Sequence, residues 1–441
     1  MTDAAVAESA ARAVAVQAHA LAQARDDVAL LERVARARTV LIGEASHGTC
    51  DFYAVRAALT QHLVTAHGFV AVALEADWPD TFRAHRYVTH RSDDADAETA
   101  LRDFRRFPAW MWRNEVMRDF CEWLREYNRG KPREAQAGIY GLDLYSLHAS
   151  IEAVLRYLAA VDPAAAQRAR ERYACFEHYG DPQQYGIAAS GGYESCENEV
   201  VAQLVDLRKR VADLGRIDGY PAHEEFFSAE QNARLVRNAE RYYRAMFRGR
   251  DESWNLRDRH MAETLDALRE RLGRDAGIVV WAHNSHLGDA RATEMSRRGE
   301  LNLGQLVRER HGESSRSIGF CTYRGTVTAA TDWDGPAERK RVRPGLAGSC
   351  EALMHATGHD RFWLDLHDPA TARAVRDERL QRAIGVIYRP QTERWSHYFG
   401  ARLPRQFDVY VHLDETQALR PLEISSQWSE GEPPETYPTA L

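Results

Sequence analysis

The amino-acid sequence predicts an α/β fold, in which a mostly parallel central sheet is flanked by helices and a large helical insertion forms a cleft. Short apolar runs alternate with stretches of helical spacing, an order typical of parallel α/β sheets. Odd and even positions of these runs are both apolar, which suits strands that are covered on both faces. A long, charged, helical stretch interrupts the alternation. We therefore predict one domain over residues 1–441, with the helical insertion at 144–270 inside it.

The predicted elements begin with a helical segment at the N-terminus. Residues 4–36 are rich in alanine, leucine and arginine, and Leu30, Leu31 and Val34 follow helical spacing. Short apolar runs come next, and helical stretches separate them. These runs are the predicted strands, at 39–42, 69–74, 137–142, 277–282, 317–323, 361–366, 383–388 and 407–413.

The predicted insertion at 144–270 differs from the rest of the chain in its length and its charge. One loop-like break, at 180–195, divides its helical pattern. We interpret the insertion as a cap on the sheet and as the wall of a binding cleft, where substrate choice is made. Its aromatic residues either line an apolar cavity or pack between helices, and they include Phe226, Phe227, Tyr242, Tyr243, Phe247 and Trp254.

The composition limits the classes of partner. The chain of 441 residues has a formal net charge of −7 and a pI near 6.2, so it lacks the basic footprint of a nucleic-acid-binding protein. No stretch approaches the roughly 18 apolar residues of a membrane span, and the N-terminal segment lacks the apolar core of a signal peptide. We expect a cytoplasmic protein that binds neither nucleic acid nor membrane. Its oligomeric state stays open.

The cysteines carry no recognisable motif. None of them forms a C-x-x-C pair, so the sequence indicates neither a zinc ribbon nor a redox site. In a chain of this length we predict reduced, mostly structural thiols. The six are Cys50, Cys121, Cys175, Cys196, Cys321 and Cys350. A separate expectation concerns the last residues, 429–441, whose three prolines and small apolar content predict a mobile tail.

Acidic and imidazole side chains follow four of the predicted strands at the same topological position. In open α/β sheets ligands bind beyond the carboxyl ends of the strands. The four strand ends therefore predict a single site that combines carboxylates with histidines. These residues are Glu44 and His47 after 39–42, Glu75 after 69–74, Asp143 after 137–142, and His283 and His286 after 277–282.

A serine nucleophile is disfavoured by the spacing of the first of these segments. A nucleophile elbow requires the pattern G-x-S-x-G. The segment from Gly43 to Gly48 has one residue too many before Ser46, and Ser285 lacks the first glycine. The sequence therefore argues against serine-hydrolase chemistry.

A metal site stays open as a second interpretation. His283 and His286, together with His47 and the carboxylates of Glu44 and Glu75, offer enough nitrogen and oxygen donors for zinc or manganese. The pattern H-E-x-x-H does not occur, and the spacing of these donors is not specific for a metal.

The third interpretation is a histidine that acts as general base on water. This chemistry needs an imidazole beside a carboxylate that orients it, and a donor for the developing oxyanion. Glu44 or Glu75 can orient His47, and His286 or an arginine can stabilise the oxyanion. The candidate arginines are Arg56, on the helix after the first motif, and Arg257, in NLRDRHMAE.

Several segments of the chain resemble the erythromycin esterase family. The order and the spacing of these motifs are specific, and the resemblance runs from about residue 30 to residue 422. The segments are IGEASHGT at 42–49, ALEADW at 73–78, YGLDLYS at 140–146, NLRDRHMAE at 255–263, WAHNSHLGD at 281–289 and the stretch from YRPQTERW to ALRPL at 388–422.

The resemblance implies a hydrolase with an α/β fold, a helical insertion and a deep cleft. Such an enzyme opens an ester without a serine nucleophile, and in the best-known members this ester closes the macrolactone ring of erythromycin, which gives antibiotic resistance. The resemblance makes His47 the base that activates water. It implies catalytic roles for Glu44, Glu75 and His286 as well, and substrate-binding roles for His283, Arg56 and Arg257.

These inferences predict a carboxylic ester hydrolase that acts on a small-molecule ester or lactone. We expect no cofactor and no obligatory metal. Two alternatives stay open: a metal-dependent hydrolase on the same scaffold, and a protein of an exopolysaccharide (carbohydrate) pathway without esterase activity. The natural substrate, and whether it is a macrolide, also stays open.

Overall fold

A computed structural model of the chain describes residues 3–21, 27–192, 194–209 and 220–431. Most of the predicted mobile tail, from residue 432 onward, lies outside the described residues. The strands of the described part are β1 (His19–Ala20), β2 (Thr39–Ile42), β3 (Phe69–Asp77), β4 (Gly138–Asp143), β5 (Gly277–Trp281), β6 (Ser315–Ala329), β7 (Glu338–Val342), β8 (Arg361–Asp365), β9 (Arg379–Arg382), β10 (Tyr398–Ala401) and β11 (Val409–Thr416).

Helices surround these strands. The α-helices of the described part are α1 (Asp3–Gln17), α2 (Val28–Ala35), α3 (Cys50–His67), α4 (Trp78–Val88), α5 (Ala97–Ala100), α6 (Glu115–Asn128), α7 (Leu147–Val161), α8 (Pro163–Tyr173), α9 (Pro182–Ser190), α10 (Glu197–Lys209), α11 (Tyr220–Met246), α12 (Arg250–Leu272), α13 (Asn284–Leu287), α14 (Leu303–His311), α15 (Cys350–His355), α16 (Pro369–Ala374), α17 (Glu393–Ser396), α18 (Leu403–Gln406) and α19 (Ser426–Glu430). Short 3₁₀ turns include Ala109–Met111 and Glu294–Arg298.

The central sheet is mostly parallel, as the sequence predicts. Within the described residues its strands lie in the order β1-β8-β11-β6-β2-β5-β3-β4, and β7 pairs with β6. The six strands from β11 to β4 are parallel to their neighbours, whereas β1, β7 and β8 pair antiparallel. The strands β9 and β10 form a separate antiparallel pair. The predicted fold class is therefore confirmed.

Both faces of the sheet are covered, which explains the apolar runs. Val40 and Ile42 of β2 belong to one buried apolar cluster, whereas Leu41, between them, belongs to a second cluster on the other face. Successive side chains of a strand point to opposite faces, so both must be apolar when both faces are buried.

The helical region between β4 and β5 shares a core with the sheet. In this region α11 packs against α7, α9, α10 and α12. One apolar cluster contains Leu41 and Ala73 of the sheet together with Val154, Val236 and Leu265 of these helices. The sheet and these helices therefore share one apolar core.

Capping residues set several helix ends in this region and near the site. Asp162 precedes Pro163, and its side chain accepts the backbone N–H of Ala165 at 2.9 Å, where α8 begins. The helix α3 ends at His67, and the next residue, Gly68, has a φ of 68°, the left-handed conformation that glycine adopts most easily.

Several expectations from the sequence are wrong. The predicted loop-like break at 180–195 contains the helix α9 (Pro182–Ser190). The run 383–388 is not a strand: β9 ends at Arg382, and the run makes only single bridges, between Ile384 and Ser46 and between Ile387 and Ala330. An apolar run also suits an irregular segment that is buried against other strands.

Two of the cysteines are bonded to each other, contrary to the expectation of reduced thiols. Cys175 and Cys196 form a disulfide, with their Cα atoms 6.1 Å apart. The packing of the insertion helices brings these two positions together, so no local sequence motif predicts the disulfide. The other four cysteines are free thiols. In the described residues no helix is both long enough and apolar enough to cross a membrane.

Candidate active site

The register of the parallel strands brings the sequence-predicted residues to one edge of the sheet. Trp281, the last residue of β5, pairs with Ile42 of β2 and with Leu74 of β3. The residues that follow these three positions therefore lie side by side. They include His283, beyond β5, and Glu75, which still belongs to β3.

Two glycines allow the segment with Glu44 and His47 to pack closely against other segments of the same chain. A Cβ atom on Gly43 would lie 2.2 Å from Oδ1 of Asn284, and one on Gly48 would lie 1.8 Å from the carbonyl oxygen of Thr328. Gly43 also donates its N–H to the carbonyl of Ile318 at 2.9 Å. Only glycine allows these approaches, so the turn that carries Glu44 and His47 is closely packed.

His47 is held by a carboxylate and an arginine behind it. Its Nδ1 lies 2.8 Å from Oε1 of Glu44, and Nη2 of Arg56 lies 2.7 Å from Oε2 of the same carboxylate. Glu44 is buried, whereas His47 lines the cleft. The hydrogen bond leaves Nε2 of His47 as the nitrogen that can face a ligand.

Arg56 lies behind this pair and not on the cleft surface. It is fully buried, and its guanidinium stacks over Tyr53 at 4.1 Å and over Trp281 at 5.2 Å, measured to the ring centroids. The predicted substrate contact of Arg56 disagrees with this position, because the surrounding rings and Glu44 enclose the side chain. We assign Arg56 the role of a positioning residue for Glu44.

Glu75 and Asp143 share a second arginine, whose side chain is 14% exposed. Arg257 donates to both oxygens of Asp143, at 2.9 Å and 2.7 Å, and its Nη2 lies 2.7 Å from Oε1 of Glu75. Burial alone would raise the pKa of Glu75, but the charges of His286 and Arg257 hold this pKa well below its usual range. Both carboxyl groups are therefore ionised at neutral pH.

His286 lies between a carboxylate and the Arg257 cluster. Its Nδ1 is 2.9 Å from both carboxylate oxygens of Asp258, and its Nε2 is 3.0 Å from Nη1 of Arg257 and 3.3 Å from Oε1 of Glu75. Its ring stacks on Trp254 with centroids 4.5 Å apart. Burial lowers the pKa of His286, but Asp258 and Glu75 outweigh this effect and raise it to about 9. The two carboxylates therefore favour the protonated imidazole at neutral pH.

This protonation predicts a pH-dependent stability. The pKa of His286 is about 9 in the folded chain and about 6.5 in an unfolded one, so its stabilising contribution is complete below pH 6.5 and is lost as the pH rises through 9. Thermal unfolding midpoints of the parent and of His286→Gln measured from pH 6 to 10 should converge as the pH rises. A constant difference over this range would contradict the prediction.

His283, a predicted substrate-binding residue, also lines the cleft. Its backbone N–H donates to Oε2 of Glu75 at 2.8 Å, and its Nδ1 lies 2.8 Å from the hydroxyl of Ser285. The rings of His283 and His47 are 4.9 Å apart between centroids. Burial, with a smaller effect of the nearby His47, lowers the pKa of His283 to about 3, so this imidazole is neutral.

The cleft in front of these residues has a volume of about 420 Å³. His47, Glu75, His283, His286 and Arg257 all line it. Its wall also contains exposed aromatic side chains. Trp333 and Trp395 are 54% and 85% exposed, and the ring of Phe107 packs edge-on against Trp333 at 5.0 Å.

The carboxylates of the motifs have cationic partners in the structure. Within the part of the chain that the structure describes, no group of three or more His, Cys, Asp or Glu side chains is placed to bind one. Glu44 is paired with Arg56 and Glu75 with Arg257, whereas Nε2 of His283 has no hydrogen-bond partner among the described residues. The two carboxylates are therefore held by arginines.

Some members of the site are not predicted by the sequence. Asp258 orients His286, and its position directly after Arg257 in the R-D pair was the available signal. Tyr145 lies under the guanidinium of Arg257, whose central carbon is 4.9 Å from the ring centroid. No signal in the sequence marked Trp254 as the partner of His286.

A sequence model of the erythromycin esterase family matches residues 64–416. The chain belongs to the erythromycin esterase family. Among the relatives, a Bacillus subtilis (strain 168) protein named Putative hydrolase YbfO is 21% identical over 413 residues, which are 88% of this chain and 86% of that protein. Erythromycin esterase type I of Escherichia coli is 25% identical over 309 residues, which are 66% of this chain and 71% of that protein.

Solved structures share the fold of this family member. A succinoglycan biosynthesis protein superposes with a TM-score of 0.74 at 20% identity, over 94% of this chain and 99% of that one. The erythromycin esterase EreC, a mutant in its open conformation, superposes with a TM-score of 0.64 at 19% identity, over 88% of this chain and 93% of that one. The family and its relatives indicate a hydrolase.

Proposed function

We propose that this chain hydrolyses a carboxylic ester or lactone with a water molecule that His47 activates. The observation that carries the proposal is the orientation of the imidazole. Glu44 engages Nδ1 of His47 at 2.8 Å, and no described residue makes a hydrogen bond to Nε2, on a ring that lines the cleft. A general base needs this combination of an oriented ring and an available nitrogen.

The proposed reaction begins with transfer of a proton from water to Nε2 of His47. The oxygen of this water forms a bond to the carbonyl carbon of the ester. Glu44 stabilises the imidazolium that results, and Arg56 holds this carboxylate in place. The imidazolium then returns the proton to the departing alkoxide, so that one ester and one water give an acid and an alcohol.

The developing oxyanion requires positive charge on the opposite side of the carbonyl. Arg257 and protonated His286 both line the cleft and supply it. Glu75, which contacts both cations, and Asp143 and Asp258 hold them in place. In this proposal Glu75 is a positioning residue, and His283 is a neutral contact for the substrate.

The cleft suits a large, neutral substrate. Aromatic side chains on its wall, including Trp333 and Trp395, offer apolar surface beyond the charged cluster. Erythromycin esterase type I of Escherichia coli is named for a macrolide lactone, so macrolides are the first class to test. The test is an intact-mass screen of macrolides and other lactones, in which hydrolysis appears as the gain of one water. An absence of turnover of every lactone and simple ester would overturn the proposal.

Activity should survive removal of metal ions. Glu44 and Glu75 are paired with arginines and His286 is paired with Asp258, so we expect hydrolysis to proceed without a bound metal. The measurement is the turnover of an ester substrate before and after dialysis against a chelator. Loss of activity, with recovery on adding back one metal, would favour the alternative of a metal-dependent hydrolase.

A further inference from the structure

The wall of the cleft contains a buried carboxylate with an unused oxygen. Glu300 lines the cleft, and its side chain is only 2% exposed. Its Oε1 is buried and has no hydrogen bond. A buried acceptor without a donor is costly. The exposed side chain of Arg250 lies 3.8 Å from Oε1, and a ligand donor that takes the place of this weak contact would satisfy the oxygen.

The position of Glu300 is fixed relative to the candidate active site. The carbonyl of the next residue, Leu301, accepts the indole N–H of Trp254 at 2.8 Å, and its N–H donates to Oδ1 of Asn255 at 2.8 Å. The same Trp254 ring stacks on His286. Glu300 is therefore linked to His286 of the site through Leu301 and the ring of Trp254.

The charge of Glu300 is balanced, but Oε1 is not satisfied. Nη2 of Arg298 lies 3.4 Å from Oε2, and Nε of Arg250 lies 3.8 Å from Oε1. Both arginines are largely exposed, with side chains that are 48% and 78% accessible, so these contacts are weak. A neutral donor fits Oε1 better than a third positive charge.

We propose that Oε1 of Glu300 accepts a hydrogen bond from a hydroxyl group of the substrate, so that the enzyme selects hydroxylated esters. This inference rests on the proposed ester hydrolysis. A site that is built to bind a substrate hydroxyl discriminates against analogues that lack it, because its own buried acceptor is then left unpaired. The carboxylate makes the same contact in the ground state and in the transition state, so the selection acts on KM.

The experiment compares p-nitrophenyl esters of ω-hydroxyalkanoic acids of six, eight and ten carbons with the corresponding unsubstituted esters. The parent protein should prefer the hydroxylated ester by about 10- to 100-fold in kcat/KM for at least one chain length, through KM. Glu300→Ala should reduce this ratio to nearly one. Glu300→Gln keeps the shape and a neutral acceptor, and it should give an intermediate ratio.

The matched control is Glu294→Gln, on the same side of the cleft. Oε2 of Glu294 already accepts the backbone N–H of Gly400 at 3.0 Å, so this variant should keep the preference of the parent. If Glu300→Ala does not fold, the comparison of Glu300→Gln with Glu294→Gln decides the test alone.

Three results would overturn the inference: no preference in the parent, an unchanged preference in the Glu300 variants, or a stronger preference for ω-amino esters, which would indicate a cation site. If no ester is hydrolysed at all, the proposed function fails separately. The dissociation constants of the same ester pairs, followed by tryptophan fluorescence, then decide the inference by the same ratio and the same variants.

Discussion

Substitution of His47 by alanine is expected to lower kcat by about 10²- to 10⁴-fold, the usual contribution of a general base, and to leave KM nearly unchanged. The imidazole acts mainly in the transition state, where it carries the proton of the attacking water. Thermal stability should fall little, because the ion pair between Glu44 and Arg56 behind the ring remains. The measurement is kcat, KM and the unfolding midpoint of His47→Ala on one ester.

Glu44→Gln provides the partner experiment for His47. The amide keeps the shape of the side chain but loses the charge that stabilises an imidazolium, so kcat should also fall strongly. If both residues act on one water, the double variant should be barely slower than the slower single variant, since residues that work as a unit are not additive. If the fold-losses in kcat of the two single variants multiply in the double variant, the two residues do not act in a shared step.

The competing assignment makes His286 the base. The contacts of His286 argue against this assignment. Its Nδ1 contacts Asp258 and its Nε2 contacts Arg257 and Glu75, so neither nitrogen is available to accept a proton from water. His286→Ala should therefore lower stability together with kcat, since it leaves Asp258 buried without its partner. A soluble, normally stable His47→Ala protein with undiminished kcat would show that His47 is not the base.

Arg257→Ala should cause the largest loss of stability among the site variants, on the order of 3–5 kcal/mol. This side chain pairs with Asp143 and Glu75, both of which are buried. Its removal leaves two buried carboxylates without their shared cation. Urea unfolding of the parent and of the variant measures the difference in the free energy of unfolding.

The matched control is Arg259→Ala on the same helix, α12. Arg259 is exposed, and its truncation should change the free energy of unfolding by less than about 0.5 kcal/mol. Arg257→Lys should recover only part of the loss, because an ammonium cannot make the two parallel hydrogen bonds to Asp143.

The loss caused by Arg257→Ala should also depend on pH. In the parent, the pKa values of Glu75 and Asp143 are lowered, with Arg257 among the causes, so the stability that this pairing supplies is present above pH 4 and is lost on acidification. The difference between parent and variant should therefore shrink as the pH falls below 4. An Arg257→Ala protein as stable as the parent at pH 7 would mean that the ion pairs contribute nothing net.

The sequence by itself determined the fold class and most members of the candidate site. Runs that are apolar at odd and even positions specify strands that are covered on both faces. In a parallel sheet, the residues that follow the strands lie at the same edge of the sheet. This local logic was sufficient to place His47, Glu75 and His286 in one cleft. This prediction is possible because the local sequence pattern sets both where a strand ends and whether neighbouring strands run parallel.

Only the tertiary structure decided how these residues are paired. The sequence left Glu44 and Glu75 as equal candidates for orienting His47, and the rotation of the side chains at the turn selects Glu44. It also offered Arg56 as a substrate contact, whereas the packing of α3 against the sheet buries that side chain behind Glu44. The register of the strands and the rotation of the side chains depend on packing throughout the core. No single segment of the sequence determines this packing.

The same reason applies to contacts between distant parts of the chain. Arg257 meets Glu75 across 182 positions of sequence, and Cys175 meets Cys196 through the packing of the insertion helices. The unused oxygen of Glu300 is likewise a property of its surroundings and not of its residue type. The chemical groups can be read from the sequence, but the partner of each group, and so its charge and its role, follows from long-range packing that only the folded chain defines.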